Sequence, residues 1–328
     1  MGIKYCALES LKEENAHLLK IVEKDVGNLP AGDILINVKY SSLNYKDAMS
    51  AKGIPGVTRN YPHVPGIDAS GVVVETNNKN IKEGDSVIVT GYDLGMNTSG
   101  GFSEYIRVPS EWVIRLPDNI SLRESMIIGT AGLTAGLSVE ALEKHFKINE
   151  TLSLVTGATG GVGSIGIMLL SQLGSEVTAI SGKSDQNVFL QSLGAKEILG
   201  RDDFYKTIRQ PLSKPIWDIA IDVAGGSMIP AVLAALKPAG AVACSGLVAG
   251  LKFEASMLPF ILRGISLIGI DSVEIPLNKK ENIWKKFSSD WSLSKLEEVA
   301  KEISLSDLPQ EIDLILSGNQ VGRVLIKL

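Results

Sequence analysis

The chain has 328 residues, 45% hydrophobic and 21% charged, enough to bury a full core and longer than one core normally serves, so two domains are expected. Its 37 acidic and 32 basic residues are mixed along the chain at a net charge of -5, which leaves no basic stripe for a nucleic-acid backbone. No run approaches the roughly 18 uninterrupted apolar residues of a membrane span, and Met1 to Ser10 lacks the charged and apolar regions of a secretory leader. A cytoplasmic protein without membrane or nucleic-acid partners is expected. Cys6 and Cys244 are too few and too far apart for a disulfide framework or a metal cage and read as small buried hydrophobes.

From Ala7 to about Arg115, short β-branched runs such as Asp33 to Tyr40 and Asp85 to Thr90 are punctuated by Pro30, Gly32, Pro65, Gly66 and Gly84, which predicts mostly antiparallel β structure. After Pro117 the pattern changes. Ser121 with Glu124 has capping-box spacing and opens a helix, and a second helical stretch follows over Leu133 to Leu142. Strands then alternate with helices: Leu152 to Val155, helix Gly161 to Leu173, Glu176 to Ile180, helix Asp185 to Leu193, and Glu197 to Leu199. The series continues with Trp217 to Val223, helix Met228 to Leu236, Ala241 to Ser245, and Ile265 to Ile270. Six short apolar strands separated by helices predict an α/β, doubly wound parallel sheet. Charged helices are expected from Asn282 to Phe287 and from Ser294 to Ile303, and Gln320 to Leu328 reads as an apolar strand that returns to the first domain. The expected division is 1–125, 126–265 and 266–328, with the first domain discontinuous.

Between the strand ending at Val155 and the following helix lies Ala158-Thr159-Gly160-Gly161-Val162-Gly163, the dinucleotide fingerprint with alanine in first place. A small first residue allows the tight turn, Gly160 admits a pyrophosphate to the backbone, and Gly163 lets helix pack on strand. The second strand ends in Ser181-Gly182-Lys183, where an enzyme that takes NAD would place a carboxylate on the ribose diol. A hydroxyl, an open amide and an ammonium suit a 2'-phosphate instead, so the expected cofactor is NADPH. Arg201, after the third strand, is in reach of the same phosphate, and Leu247 and Ser272 follow the fifth and sixth strands.

Four segments in order, Ser41-Ser42-Leu43-Asn44-Tyr45-Lys46-Asp47, Pro65 to Val73, Gly129 to Ala135 and the fingerprint, resemble the medium-chain dehydrogenase/reductases. Within them the chain is similar to the zinc-free quinone oxidoreductase group and its acryloyl-CoA reductase branch, a narrower likeness carried by Pro259 to Gly264 and Gly269 to Val273. The resemblance implies a GroES-like catalytic domain around a Rossmann domain, NADPH as hydride donor, a homodimer, and Tyr45 beside the nicotinamide. It further implies cofactor contacts from Thr159 to Val162, Ser181 to Lys183, Arg201, Leu247 and Ser272. Zinc relatives carry a cysteine in the segment matching Asn44-Tyr45 and a histidine-glutamate pair where this chain has Gly66-Ile67-Asp68. None of these ligands is present, so no metal is expected.

Without zinc, reduction of an activated alkene is favoured over alcohol oxidation, because hydrogen bonds can stabilise an enolate. The expected reaction is hydride addition to the β-carbon of an enoyl thioester or enone, acryloyl-CoA above all, with Tyr45 or water as proton donor and Asn44 orienting substrate or cofactor. Tyr45 reads equally well as an aromatic wall. Quinone reduction at the same site is the alternative, and a non-catalytic NADPH sensor or scaffold is a third reading. Tyr92 and Met96 are expected at the pocket rim, and Asp68 as a turn holder.

Overall fold

The computed structural model describes residues 2–14, 16–208 and 210–328. The chain forms two compact units, one of Met1–Thr130, Val273–Asp290 and Val299–Leu328, the other of Ala131–Ser272 and Trp291–Glu298. The expected divisions at 125/126 and 265/266 lie a few residues before these. The strand at Ser266–Gly269 belongs with the sheet that precedes it, because it pairs in parallel with that sheet's fifth strand.

The first unit begins with the hairpin β1 (Lys4–Lys12) and β2 (His17–Asp25). Strand β3 (Ile34–Ser42) leads into helix α1 (Tyr45–Ala51), then β4 (Asp68–Thr76), β5 (Ser86–Thr90), β6 (Tyr105–Val108) and β7 (Val113–Arg115). These pair antiparallel, as the alternating runs predict. Ile34, Ile36 and Val38 on one face of β3 and Val87 and Val89 on β5 are buried in one cluster, a period-2 face, while Leu35 on the opposite face of β3 is buried in a second cluster. Cys6, expected to be buried, is exposed on β1.

Helix α2 (Leu122–Glu143) opens with the expected box: Ser121 N donates to Glu124 Oε2 at 2.8 Å and Glu124 N to Ser121 Oγ at 3.1 Å. The helix is long and apolar enough to cross a bilayer, but 78% of its apolar window is buried within the molecule, which marks a core helix. Its path is broken at Gly129, whose φ of 49° and ψ of -158° are not helical.

The second unit runs β8 (Leu152–Val155), α3 (Gly161–Gln172), β9 (Glu176–Ser181), α4 (Asn187–Ser192), β10 (Ala195–Gly200), α5 (Arg201–Thr207) and β11 (Trp217–Asp222). It continues with α6 (Met228–Ala235), β12 (Leu236–Cys244), α7 (Leu258–Arg263) and β13 (Ser266–Gly269). The six strands are parallel in the order β10-β9-β8-β11-β12-β13. Counted from β8 this is 3-2-1-4-5-6, the doubly wound arrangement, whose order reverses between β8 and β11.

The chain then re-enters the first unit through α8 (Leu277–Phe287), β14 (Ala300–Ser304), α9 (Leu308–Leu316) and β15 (Arg323–Lys327). The helix expected over Ser294 to Ile303 is corrected here. Leu296–Val299 is a single 3-10 turn, and Ala300–Ser304 is a strand whose backbone pairs in parallel with β15. The terminal strand returns as expected, antiparallel to β3 through Leu325, Ile326 and Lys327.

Candidate active site

In the second unit, the loop from β8 to α3 lies beside the loop that follows β11, at the reversal of strand order. Thr156 Oγ1 donates to Asp222 Oδ1 at 2.6 Å and accepts from Val223 N at 3.1 Å, while Gly225 N donates to Asp222 Oδ2 at 2.8 Å. Burial pushes the Asp222 carboxyl above its ordinary value, and these hydrogen bonds oppose the rise. The two loops flanking the crevice are thus clamped by one carboxylate.

Gly160 caps α3, and its N–H donates to Gly157 O at 3.0 Å. A Cβ on Gly163 would stand 2.4 Å from that same Gly157 oxygen, so only glycine lets the helix start this close to the loop. The first N–H groups of α3, from Gly161 to Gly163, have no partner within the helix, which makes its N-terminus an anion site. Ala158 and Thr159 are buried beneath it.

Strand β9 ends at Ser181, whose Oγ accepts from Lys183 N at 2.9 Å and shapes the turn. A Cβ on Gly182 would lie 3.5 Å from Arg201 Cζ, which places the guanidinium over the open glycine. Ser181, Gly182, Lys183 and Arg201 are therefore brought together, as the sequence predicts. Half-burial pulls the Lys183 ammonium below its usual range, with Asp185 acting against it. Leu247 follows β12 and is exposed; its Cα lies 3.0 Å from where a Cβ on Gly225 would be. Ser272 is buried and its Oγ is hydrogen-bonded to Thr134 Oγ1 at 2.8 Å. The chemistry of the crevice fits an NADP-type nucleotide: an amide-rich helix start, two cations and a hydroxyl, with no carboxylate at the end of the second strand.

In the first unit, β15, β3 and β4 are neighbours, so Arg323, Ser42 and Asp68 come together at one end of these three strands. Asp68 is fully buried and accepts from Ser42 Oγ at 2.7 Å, Asn44 Nδ2 at 2.8 Å, Thr130 N at 2.9 Å and Thr130 Oγ1 at 2.6 Å. Buried Arg323 donates to Ile127 O, Leu43 O, Asn44 Oδ1 and Ser42 Oγ at 2.9, 3.1, 3.2 and 2.8 Å. Its Nη2 stands 3.9 Å from Asp68 Oδ2. Burial pulls the guanidinium down from its ordinary value, while Asp68 and Asp47 hold it charged. A side chain at Gly129 would strike both partners, since a Cβ there would be 2.7 Å from Arg323 Nη2 and from Asp68 Oδ2.

Asn44 is engaged at both side-chain polar atoms. Its Nδ2 donates to Asp68 and, at 3.1 Å, to Asp47 Oδ2, and its Oδ1 accepts from Arg323. With its amide protons committed to Asp68 and Asp47, the side chain positions the segment, and its Oδ1 keeps one lone pair beside the bond from Arg323. Tyr45, the next residue, is half-buried, and its hydroxyl makes no hydrogen bond among the described residues. Lys46 approaches Met96 Sδ at 3.9 Å, linking the start of α1 to the expected rim loop. The Tyr92 ring stacks on Trp112 and carries the Lys280 ammonium 3.4 Å from its centre.

Two residues of this network were not singled out by sequence. Arg323 is one. Asp47 is the other, fully buried on the first turn of α1, with Oδ1 accepting from Ile67 N at 2.7 Å and Oδ2 from Asn44 N at 2.8 Å. Burial, reinforced by Asp68, pushes its carboxyl up to about 7 against these hydrogen bonds. The folded protein thus binds this proton more tightly than the unfolded chain. Stability from the group is complete below about pH 4 and is lost as pH rises through about 7. Urea unfolding should therefore show wild type losing roughly 2–3 kcal/mol more than Asp47→Asn between about pH 5 and pH 8. Parallel pH dependences would refute that placement of the proton.

The parallel sheet with its glycine-led helix, and the β-rich unit to which the chain returns, define a class: the chain belongs to the medium-chain dehydrogenase/reductase family, and it is an oxidoreductase. Residues 30–118 match the alcohol dehydrogenase GroES-like domain and residues 161–289 the zinc-binding dehydrogenase family. Within that class, the chain is 40% identical to the acrylyl-CoA reductase AcuI of Ruegeria pomeroyi over 91% of both chains. It is 42% identical over the whole of both chains to Bacillus subtilis YhfP, a protein carrying a quinone oxidoreductase name. The crystal structure of that Bacillus protein with NAD bound superposes with a TM-score of 0.96, covering 99% of this chain and 100% of its own. The yhdH oxidoreductase of Salmonella enterica in complex with NADP is 38% identical, with a TM-score of 0.95 over 99% of this chain and 100% of that one.

The segments where zinc relatives carry their ligands hold Asn44 and Asp68 here, and these two side chains are hydrogen-bonded to each other. Among the described residues no three His, Cys, Asp or Glu side chains gather as a metal site.

Proposed function

We propose that the chain is an NADPH-dependent reductase of carbon-carbon double bonds conjugated to a carbonyl or thioester, with acryloyl-CoA to propionyl-CoA as the specific reaction. The observation that carries the cofactor is Arg201 lying over Gly182 beside Lys183, with no acidic residue at the end of β9. Lys183, Arg201 and the Ser181 hydroxyl would hold the 2'-phosphate, and the first amides of α3 the pyrophosphate. NADPH, when bound, supplies a hydride. The Tyr45 Oη, without a partner among the described residues, would give its proton to the α-carbon of the substrate, while Asp68, Arg323 and Asn44 hold the segment that carries it. The substrate itself is suggested by likeness to the Ruegeria acrylyl-CoA reductase.

The test of the cofactor is Lys183→Glu. It should lower the preference for NADPH over NADH by tenfold or more in kcat/KM, because a carboxylate repels the 2'-phosphate. Unchanged selectivity would remove the assignment, a pointed outcome because the Bacillus relative was crystallised with NAD. The test of the substrate is NADPH oxidation with acryloyl-CoA, crotonyl-CoA, small enones and naphthoquinones. Highest kcat/KM on the thioesters supports the proposal, whereas preference for naphthoquinones supports the second reading, favoured by the 42% identity to a quinone oxidoreductase-named protein.

The same unit supports assembly as a homodimer. Its edge strand β13 is open, and Leu251, Phe253, Met257, Ile261 and Leu262 nearby in sequence are exposed apolar side chains. Sedimentation at twice the monomer mass is the expected result, and a single monomeric species would contradict it.

A further inference from the structure

Two carboxylates and one guanidinium, all buried, meet at the start of α1. Asp47 faces Asp68 on β4 and Arg323 on β15, the two charged groups among the described residues that act on it; α9, packed against α1, carries Glu311 and Asp313, which are paired with Lys301 and Lys52. With both carboxyls ionised the cluster carries one negative charge in excess, so a single proton balances it. That proton belongs on Asp47, since Asp68 already accepts from four donors and lies beside the guanidinium.

The consequences for geometry follow from the Asp47 hydrogen bonds. Both its oxygens act only as acceptors: one from Ile67 N in the turn before β4, the other from the N–H and the side-chain amide of Asn44. A proton on either oxygen takes up a lone pair and demands an acceptor that these donors do not offer. The ionised group therefore bolts the first turn of α1 to the Ile67 turn, and the protonated group loosens one end of that bolt.

We infer that Asp47 is the positioning residue for Tyr45: its ionised carboxylate, bridging Ile67 to Asn44, holds the turn from which Tyr45 acts, and one proton on this carboxyl turns that positioning off. The inference rests on the role proposed for Tyr45 above. Asp47 is fully buried and acts through the segment that it holds.

The test follows the carboxyl and the tyrosine without requiring turnover. In ligand-free protein labelled with 13C at tyrosine Cζ, the Tyr45 resonance, assigned with Tyr45→Phe, should shift in one step centred near the about 7 at which Asp47 titrates. The step should be missing in Asp47→Asn, whose amide would set N–H donors against N–H donors. With NADPH and the best substrate of the panel, wild-type kcat should rise about tenfold from about pH 6 to pH 8. The kcat of Asp47→Asn should stay flat and at least tenfold lower at the upper end, with KM little changed. A Tyr45 resonance indifferent to pH in the wild type overturns the inference however the variant folds, and so does a step that persists in Asp47→Asn. A normal wild-type step without turnover on any substrate would instead sink the proposed function and leave the positioning intact.

Discussion

Arg323→Met should cost the protein about 3–5 kcal/mol of stability, the usual penalty for removing one partner of a buried ion pair. Methionine fills similar volume but donates nothing. It leaves the Asp68 carboxylate buried without its guanidinium, and the oxygens of Ile127, Leu43, Asn44, Ser42 and Met126 without their donor. Water has little access to replace that donor, because Arg323 is 3% exposed and Asp68 0%. Thermal unfolding should show a fall of about 10 °C in Tm. Arg323→Lys keeps the charge but lacks the planar fork that reaches five acceptors at once, so it should recover only part of the loss. A change in Tm within about 2 °C for the methionine variant would mean that the cluster does not hold these strand ends together.

Tyr45→Phe should lower kcat by roughly 100-fold or more, about 2.7 kcal/mol of transition-state stabilisation, with the Kd for NADPH changed by less than about threefold. The substitution removes a hydroxyl that makes no hydrogen bond among the described residues and keeps the ring, so folding and packing are left in place. That separation is what makes the variant informative. Weakened NADPH binding with turnover preserved would assign Tyr45 to the wall of the cofactor site, and the proton would then come from water.

The parts of the fold legible in the sequence are those decided by local pattern. Leu152–Val155, Trp217–Asp222 and the alternating runs of β3 and β5 announce themselves because burial on one or both faces selects β-branched residues at fixed spacing. The glycines of the fingerprint are legible for a similar reason: Gly163 answers a contact with Gly157 only six residues away. Ala300–Ser304 was not legible. Lys295, Glu297, Glu298, Lys301 and Glu302 give the segment a helix-like charge pattern, and what makes it a strand is pairing with Arg323–Lys327, more than twenty residues on.

The buried polar network of the first unit divides in the same way. Asn44 and Asp47 have the spacing of a helix cap and its third residue, a signal present in the sequence though not sufficient to show that both are buried. Arg323 is marked only as a charge inside an apolar strand. Its hydrogen bond to Ser42 joins residues 281 apart, and no local pattern encodes such a partner. The engagement of Asn44 likewise became visible only when Asp68 and Arg323 were placed around it.

Reduction of a conjugated double bond with NADPH as hydride donor is tested by the fate of deuterium from C4-deuterated NADPH incubated with acryloyl-CoA. The expected product is propionyl-CoA with one deuterium at the β-carbon and a solvent-derived hydrogen at the α-carbon. Recovery of acryloyl-CoA unchanged, while the same preparation oxidises NADPH with naphthoquinone, would contradict it.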